Sequence, residues 1–160
     1  MNDKFLLFDI KKSMYGMGIQ NVVSIEKVTE ASPFPNMPEY VVGMVQIRGQ
    51  IIVVIDMSSL LYNNSSQIDN DTRFILVERN ETVIALMVER ANEIINIEEN
   101  EIKPVHSIET GTETFIIGAA LEENRIITIL DIEKLLTSLQ DIDAIRREIA
   151  EQNNEYINEK

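Results

Sequence analysis

Short apolar runs, each cut off by polar or turn-forming residues, recur along this chain from residue 4 to residue 130. KFLLFDI (4–10) and MYGMGIQ (14–20) flank Lys11, Lys12 and Ser13, a spacing that suits a hairpin. QNVVSIEKV follows as a strand with Val22, Ile25 and Val28 as its apolar positions. SPFPNMP (32–38) holds three of the four prolines, whose missing backbone donors exclude regular structure and make this segment a connector. YVVGMVQI and QIIVVIDM are nearly continuous β-branched runs, MSSLLY (57–62) has room for a turn or two of helix, and NNSSQIDND is a polar loop. TRFILVE and TVIALMVE face each other across Arg79, Asn80 and Glu81 as a second hairpin, and NEIINI, ETFIIGAAL and NRIITIL supply the last strands. Strands of this length separated by turn signals predict an all-β barrel or sandwich rather than a βαβ sheet.

Helix is predicted mainly at the end. Asp131 can cap IEKLLTSL, and SLQDIDAIRREIAEQNNEYINEK continues in helical rhythm with Ile142, Ile145, Ile149, Tyr156 and Ile157 close to one face. That stripe suits a terminal helix lying on its own domain or one that meets a partner, and it is too short for sustained heptads. The expected division is a domain over residues 1–137 and a C-terminal amphipathic helix over 138–160. VVIDMSSLL and ITILDIEKLL share one pattern, an apolar run, an Asp and a short amphipathic turn ending in Leu-Leu, which hints at two related halves.

Composition narrows the chemistry. At 160 residues and 44% apolar content the chain can bury a core as one domain or as two small subdomains. It has no Cys, which removes disulfides, thiolate metal sites and a cysteine nucleophile, and fits a reducing cytosol. A formal net charge of −13 repels phosphate backbones, so nucleic acid is not an expected partner. Neither a signal sequence nor a membrane-spanning run is legible, and the expectation is a cytoplasmic protein without membrane insertion. The acidic excess over residues 93–123 reads as a solvated face or as a docking surface for a basic partner.

No catalytic constellation stands out. The single His106 sits in the loop-like KPVHSIE with no serine motif near it, and no metal-ligand spacing or cofactor fingerprint appears. Gly16 and Gly18 lack the third glycine of a dinucleotide site and suit a bulge or close backbone approach. Asp56 and Asp131 both precede short helices and read as N-caps. A hydrolase built on Asp56, Asp131 or Glu89 with His106 would require those groups to converge in one pocket.

The remaining oddity is Arg48 and Gly49, set side by side in GMVQIRGQIIVVID between two runs of β-formers. An arginine there must pair, snorkel or point out of the fold. If Gly49 sits at a bend, Arg48 is held at the end of a rigid strand, where its five donors suit either an internal carboxylate or one on a partner.

GMVQIRGQIIVVIDM resembles the Asn-Leu-Arg-Gly signature of the CheW-like chemotaxis adaptors, in which strand, Arg-Gly, strand and Pro-Val-Ile-Asp-Leu follow in order. FLLFDI, YGMGI, PFPNMPEYVVG, TRFILVE and LDIEKLL fall in the family's order too, so the likeness spans about residues 4–137. Gln46, Val53, Ser58 and the ALMVE stretch (85–89) depart from the family pattern. The resemblance implies two small five-stranded SH3-like β-barrels sharing an apolar core. It also implies a non-catalytic adaptor without cofactor or metal, linking the tips of transmembrane chemoreceptors to the regulatory domain of the histidine kinase CheA in membrane-associated arrays. By the same resemblance Arg48 and Gly49 belong to a coupling surface, and Leu6, Ile19, Val22, Ile25 and Val88 to a receptor-facing apolar groove. By pattern alone those five suit an ordinary core equally well. A module of this fold with an unrelated partner is the competing expectation.

Overall fold

The computed structural model describes residues 3–33, 35–105 and 115–139; His106 and the amphipathic stretch from residue 140 onward lie outside them. Among the described residues ten strands and two short α-helices follow in order. They are β1 (Lys4–Ile10), β2 (Ser13–Gly18), β3 (Val22–Lys27), β4 (Val41–Ile47), β5 (Gln50–Asp56), α1 (Met57–Tyr62), β6 (Arg73–Arg79), β7 (Thr82–Val88), β8 (Arg90–Asn96), β9 (Ile116–Glu122), β10 (Arg125–Leu130) and α2 (Ile132–Ser138).

The strands form two five-stranded sheets, ordered β8-β1-β2-β10-β9 and β3-β6-β7-β5-β4. In each, two antiparallel hairpins meet at a central parallel pair, β10 with β2 and β5 with β7. Strand periodicity explains the long apolar runs. Along β1, Leu6, Phe8 and Ile10 face a layer between the sheets while Leu7 points to the opposite side. Along β5, Val53 and Ile55 enter that shared layer and Ile52 and Val54 the far side. Both faces are dry, so a polar alternation never appears in these strands.

Four hairpins, β1–β2, β4–β5, β6–β7 and β9–β10, close through two residues at positive φ: Lys11 and Lys12, Arg48 and Gly49, Asn80 and Glu81, Glu123 and Asn124. That is the backbone signature of the type I′ turn, whose twist matches the strands it joins. The β1–β2 and β6–β7 loops are thus shorter than the three-residue connections expected from sequence, and Ser13 and Arg79 belong to strands. β2 also ends early, at Gly18, where the chain enters a 3-10 turn over Ile19–Asn21.

The two halves repeat. The backbone N–H of Asp56 donates to the Tyr40 carbonyl at 2.8 Å, and that of Asp131 to the Phe115 carbonyl at 2.7 Å. Ser32 bridges Met44 just as Lys103 bridges Ala119. A Cβ on Gly43 would overlap the Ser32 carbonyl oxygen, and one on Gly118 the Lys103 carbonyl oxygen. Tyr40, Gly43, Met44 and Asp56 therefore correspond, with constant spacing, to Phe115, Gly118, Ala119 and Asp131. One unit is continuous, β3 through β7. The other is assembled from β8, β9, β10 and α2, completed by β1 and β2 from the beginning of the chain.

Both aspartates cap their helices, as the sequence pattern requires, but unequally. The Asp131 carboxylate accepts from the Lys134 N–H at 3.1 Å. Asp56, buried, accepts from the N–H groups of Ser58 (3.0 Å), Ser59 (3.4 Å) and Ser66 (2.9 Å) and from Ser66 Oγ at 2.6 Å, so it also fastens the polar loop after α1. Removing it strands several donors at a buried position. Asp131→Ala should cost about 1 kcal/mol and Asp56→Ala about 3 kcal/mol in unfolding free energy, measured by urea denaturation. Equal losses would mean that the loop hydrogen bonds carry no weight.

Candidate functional site

The β4–β5 turn projects Arg48 and Gly49 from one end of the second sheet. Gly49 has φ +81°, and nothing lies within 4 Å of where its Cβ would stand. Its requirement is backbone conformation, not space. Arg48, at φ 52°, keeps 69% of its side chain exposed while its Nη2 reaches Glu26 Oε2 at 3.0 Å. Glu26 is only 23% exposed, on β3 opposite Phe74. The pair spans the two edges of the sheet, since β3 and β4 are its outer strands. The other sheet has a counterpart in Arg125 Nη1 and Glu93 Oε2 at 3.2 Å, between β10 and edge strand β8.

Arg48 is therefore internally paired, the first of its two expected uses, while 69% of its side chain stays exposed. An exposed ion pair contributes about 0–1 kcal/mol. Arg48 is thus a minor contributor to stability and a preorganised donor group at a protruding tip.

The apolar candidates divide. Leu6 and Val88 are 1% exposed and belong to the layer between the sheets, because the alternation of β1 and β7 turns them inward. They form a floor rather than a contact surface. Ile19 and Val22 are half-buried against that same layer, and Ile25 is exposed on β3. Two exposed neighbours escaped the sequence reading. Val23 sits where the β3–β6 register shifts between Val22 and Ser24, and Ile94 pairs in register with Leu6 on β8. In NEIINI the adjacent Ile94 and Ile95 face opposite ways, and because this sheet is apolar on both sides the pattern alone does not say which is exposed. The 3-10 turn at Ile19–Asn21 touches β1 and β6, and β6 touches β8, so Ile19, Val22, Val23, Ile25 and Ile94 lie on elements that meet along a seam between the sheets.

Polar contacts also join the two units. Tyr15 on β2 and Tyr62 at the end of α1 share a hydrogen bond between hydroxyls, and Tyr15 stacks on Phe8 with ring centroids 6.0 Å apart. Burial, reinforced by that bond, pushes the Tyr15 phenol above its ordinary range. Glu89 joins the units too, its carboxylate accepting from the Lys12 N–H at 2.8 Å and its own N–H donating to the Asp9 carbonyl at 2.9 Å. Asp9 itself has its carboxyl raised above the ordinary 3.8, first by burial, with Arg90 opposing, Glu89 adding to the rise and Arg125 opposing again.

The carboxylates proposed for hydrolysis do not converge. Asp56 and Asp131 are committed to helix caps and Glu89 to the Lys12 backbone. Among the described residues no group of His, Cys, Asp or Glu could hold a metal ion. No helix among them is long and apolar enough to cross a membrane. What the geometry leaves is a rigid β scaffold presenting a charged tip and an apolar seam, the equipment of an interaction module.

The chain belongs to the CheW-like domain family, whose model matches residues 4–140. It is 27% identical over 135 residues to the chemotaxis protein CheW of Bacillus subtilis, covering 84% of this chain and 86% of that one. The CheW of Helicobacter pylori is 26% identical over 83% of this chain and 81% of its own length. The crystal structure of the scaffolding protein TtCheW from Thermoanaerobacter tengcongensis superposes with TM-score 0.73 and 30% identity, covering 81% of this chain and 84% of that one. The protein is a non-catalytic chemotaxis scaffold of two β subdomains.

Two measurements check this geometry. Gly49→Ala should cost about 1 kcal/mol, through the left-handed backbone alone, and Gly49→Asn distinctly less; thermal melts of both variants decide. Because Asp9 titrates above its unfolded value, its ionised form is penalised in the fold. Asp9→Asn should therefore be more stable than the parent at pH 7, with the gap closing as pH falls through the raised pKa towards about 4. A gap independent of pH would exclude the burial effect.

Proposed function

We propose that this chain couples the cytoplasmic tips of methyl-accepting chemoreceptors to the regulatory domain of the histidine kinase CheA, in the cytoplasm at membrane-associated receptor arrays. The observation that carries this reading is Arg48. A residue worth so little to stability is fixed by Glu26 at the head of a tight turn, with its remaining donors open to a partner's carboxylates. Gly49 leaves the space beside it empty, so a second backbone can approach. On the opposite face of β3 from Glu26, the seam edged by Ile19, Val22, Val23, Ile25 and Ile94 suits an amphipathic helix in a groove, over the floor that Leu6 and Val88 provide. Two surfaces on one scaffold are what an adaptor requires, since mutual positioning needs both partners bound at once.

Calorimetric titration of the chain with the CheA regulatory domain, and separately with a soluble receptor-tip fragment, tests the assignment. Arg48→Asn suits a type I′ turn, so it should stay within about 1 kcal/mol of the parent in stability. The same variant should weaken or uncouple partner binding by about ten-fold or more. Binding of neither partner by the parent chain would leave a CheW-like scaffold with another client.

A further inference from the structure

A cleft of about 500 Å³ lies beside the seam, lined by Lys27, Val28, Ile68, Asp69, Asn70, Thr72 and Arg73. It holds two of the cations of a chain whose formal net charge is −13. Lys27 and Arg73 face each other directly in the antiparallel β3–β6 register, an arrangement of like charges that weakens a sheet. Neither enters the ion pairs found among the described residues, which join Arg48 to Glu26, Arg90 to Asp71 and Arg125 to Glu93. Arg73 is nonetheless fixed, its Nη1 donating to the carbonyls of Asn70 (2.7 Å) and Thr72 (2.8 Å). The cleft wall is firm as well. Thr72 is buried, and Asp69 accepts from the Asp71 N–H at 2.8 Å while its own N–H donates to Thr72 Oγ1 at 2.9 Å.

Position gives this pair a use. Ile25 pairs with Ile75, and Lys27 with Arg73, so both pairs lie on the same face of β3 and β6, two residues apart. Two residues of strand span about 6.6 Å, close to one turn of helix at about 5.4 Å. The apolar seam thus runs into a dibasic end. We infer that Lys27 and Arg73 form a specificity site for an acidic side chain of the helical partner, placed one turn from the apolar residue that packs on Ile25. Asp69 lies within the cleft and leaves it with one excess positive charge, enough to favour a single carboxylate. This rests on the receptor-tip reading above and adds the charge that the docked helix must carry.

Lys27→Glu is the decisive variant, because it exchanges a like-charge cross-strand pair for an opposite one. The melting temperature should hold or rise while affinity for the receptor-tip fragment falls about ten-fold at low salt. The salt dependence of binding should flatten as well. Lys134→Glu, exposed on α2, changes net charge identically and should leave affinity within about two-fold. In the fragment, one Glu or Asp changed to Lys should restore binding to Lys27→Glu and weaken it to the parent. Unchanged affinity of Lys27→Glu, equal losses in both charge variants, or no rescuing acidic position overturns the inference while the receptor reading stands. Failure of the parent to bind the fragment at all removes the receptor reading itself, and with it this site.

Discussion

Everything in this molecule hangs on the apolar layer between the two sheets. Phe8, Ile10 and Met17 from one sheet and Ile55, Ile75 and Leu86 from the other meet there, with Met57, Ile132, Leu135 and Leu136 of the helices filling its ends. Each sheet has a second apolar side of its own, so its central strands are buried twice. Burial of a large aliphatic or aromatic side chain contributes about 1.5–3 kcal/mol, and this layer gathers more such residues than either outer side. The relative placement of the sheets follows from filling it, and so does the seam at its margin. The candidate helix groove is where this layer reaches the surface, over floor residues that the fold already needs.

The repeat shows what was kept for architecture and what was free to vary. Gly43 and Gly118 are fixed by a neighbouring carbonyl oxygen that would collide with any Cβ, and Asp56 and Asp131 by the helices they cap. The turns between these points differ. Arg48 and Gly49 stand in one unit where Glu123 and Asn124 stand in the other, on the same positive-φ backbone. A protruding cation and a protruding anion thus occupy related places on one scaffold. The two turns therefore carry opposite charge on the same backbone construction.

Much of this was legible in the sequence, for reasons that can be named. Runs such as QIIVVID announce a strand buried on both faces, and an Asp before a short Leu-rich turn announces a cap. The opposite faces of single positions were harder. Val88 and Ile94 both lie in apolar strands, yet one is enclosed and the other open, because enclosure depends on which sheet lies opposite. The pairing of Arg48 with Glu26 was equally hidden, since it joins the two edges of a sheet through space. The β1–β2 and β6–β7 turns were each overestimated by one residue because Lys and Glu at positive φ carry no Gly-like mark in the sequence.

The interleaving of the second unit has a consequence for how the chain comes into being. β3 through β7 are contiguous, so their sheet can assemble as soon as residue 88 has left the ribosome. The β1–β2 hairpin emerges before that sheet, yet its own neighbours β8 and β10 are made after it. Phe8, Ile10 and Met17 therefore wait through the synthesis of β3–β7 for one of the two surfaces that will enclose them. The finished β3–β7 sheet is the natural place for them to shelter meanwhile, which would make the earlier unit a template for the later one.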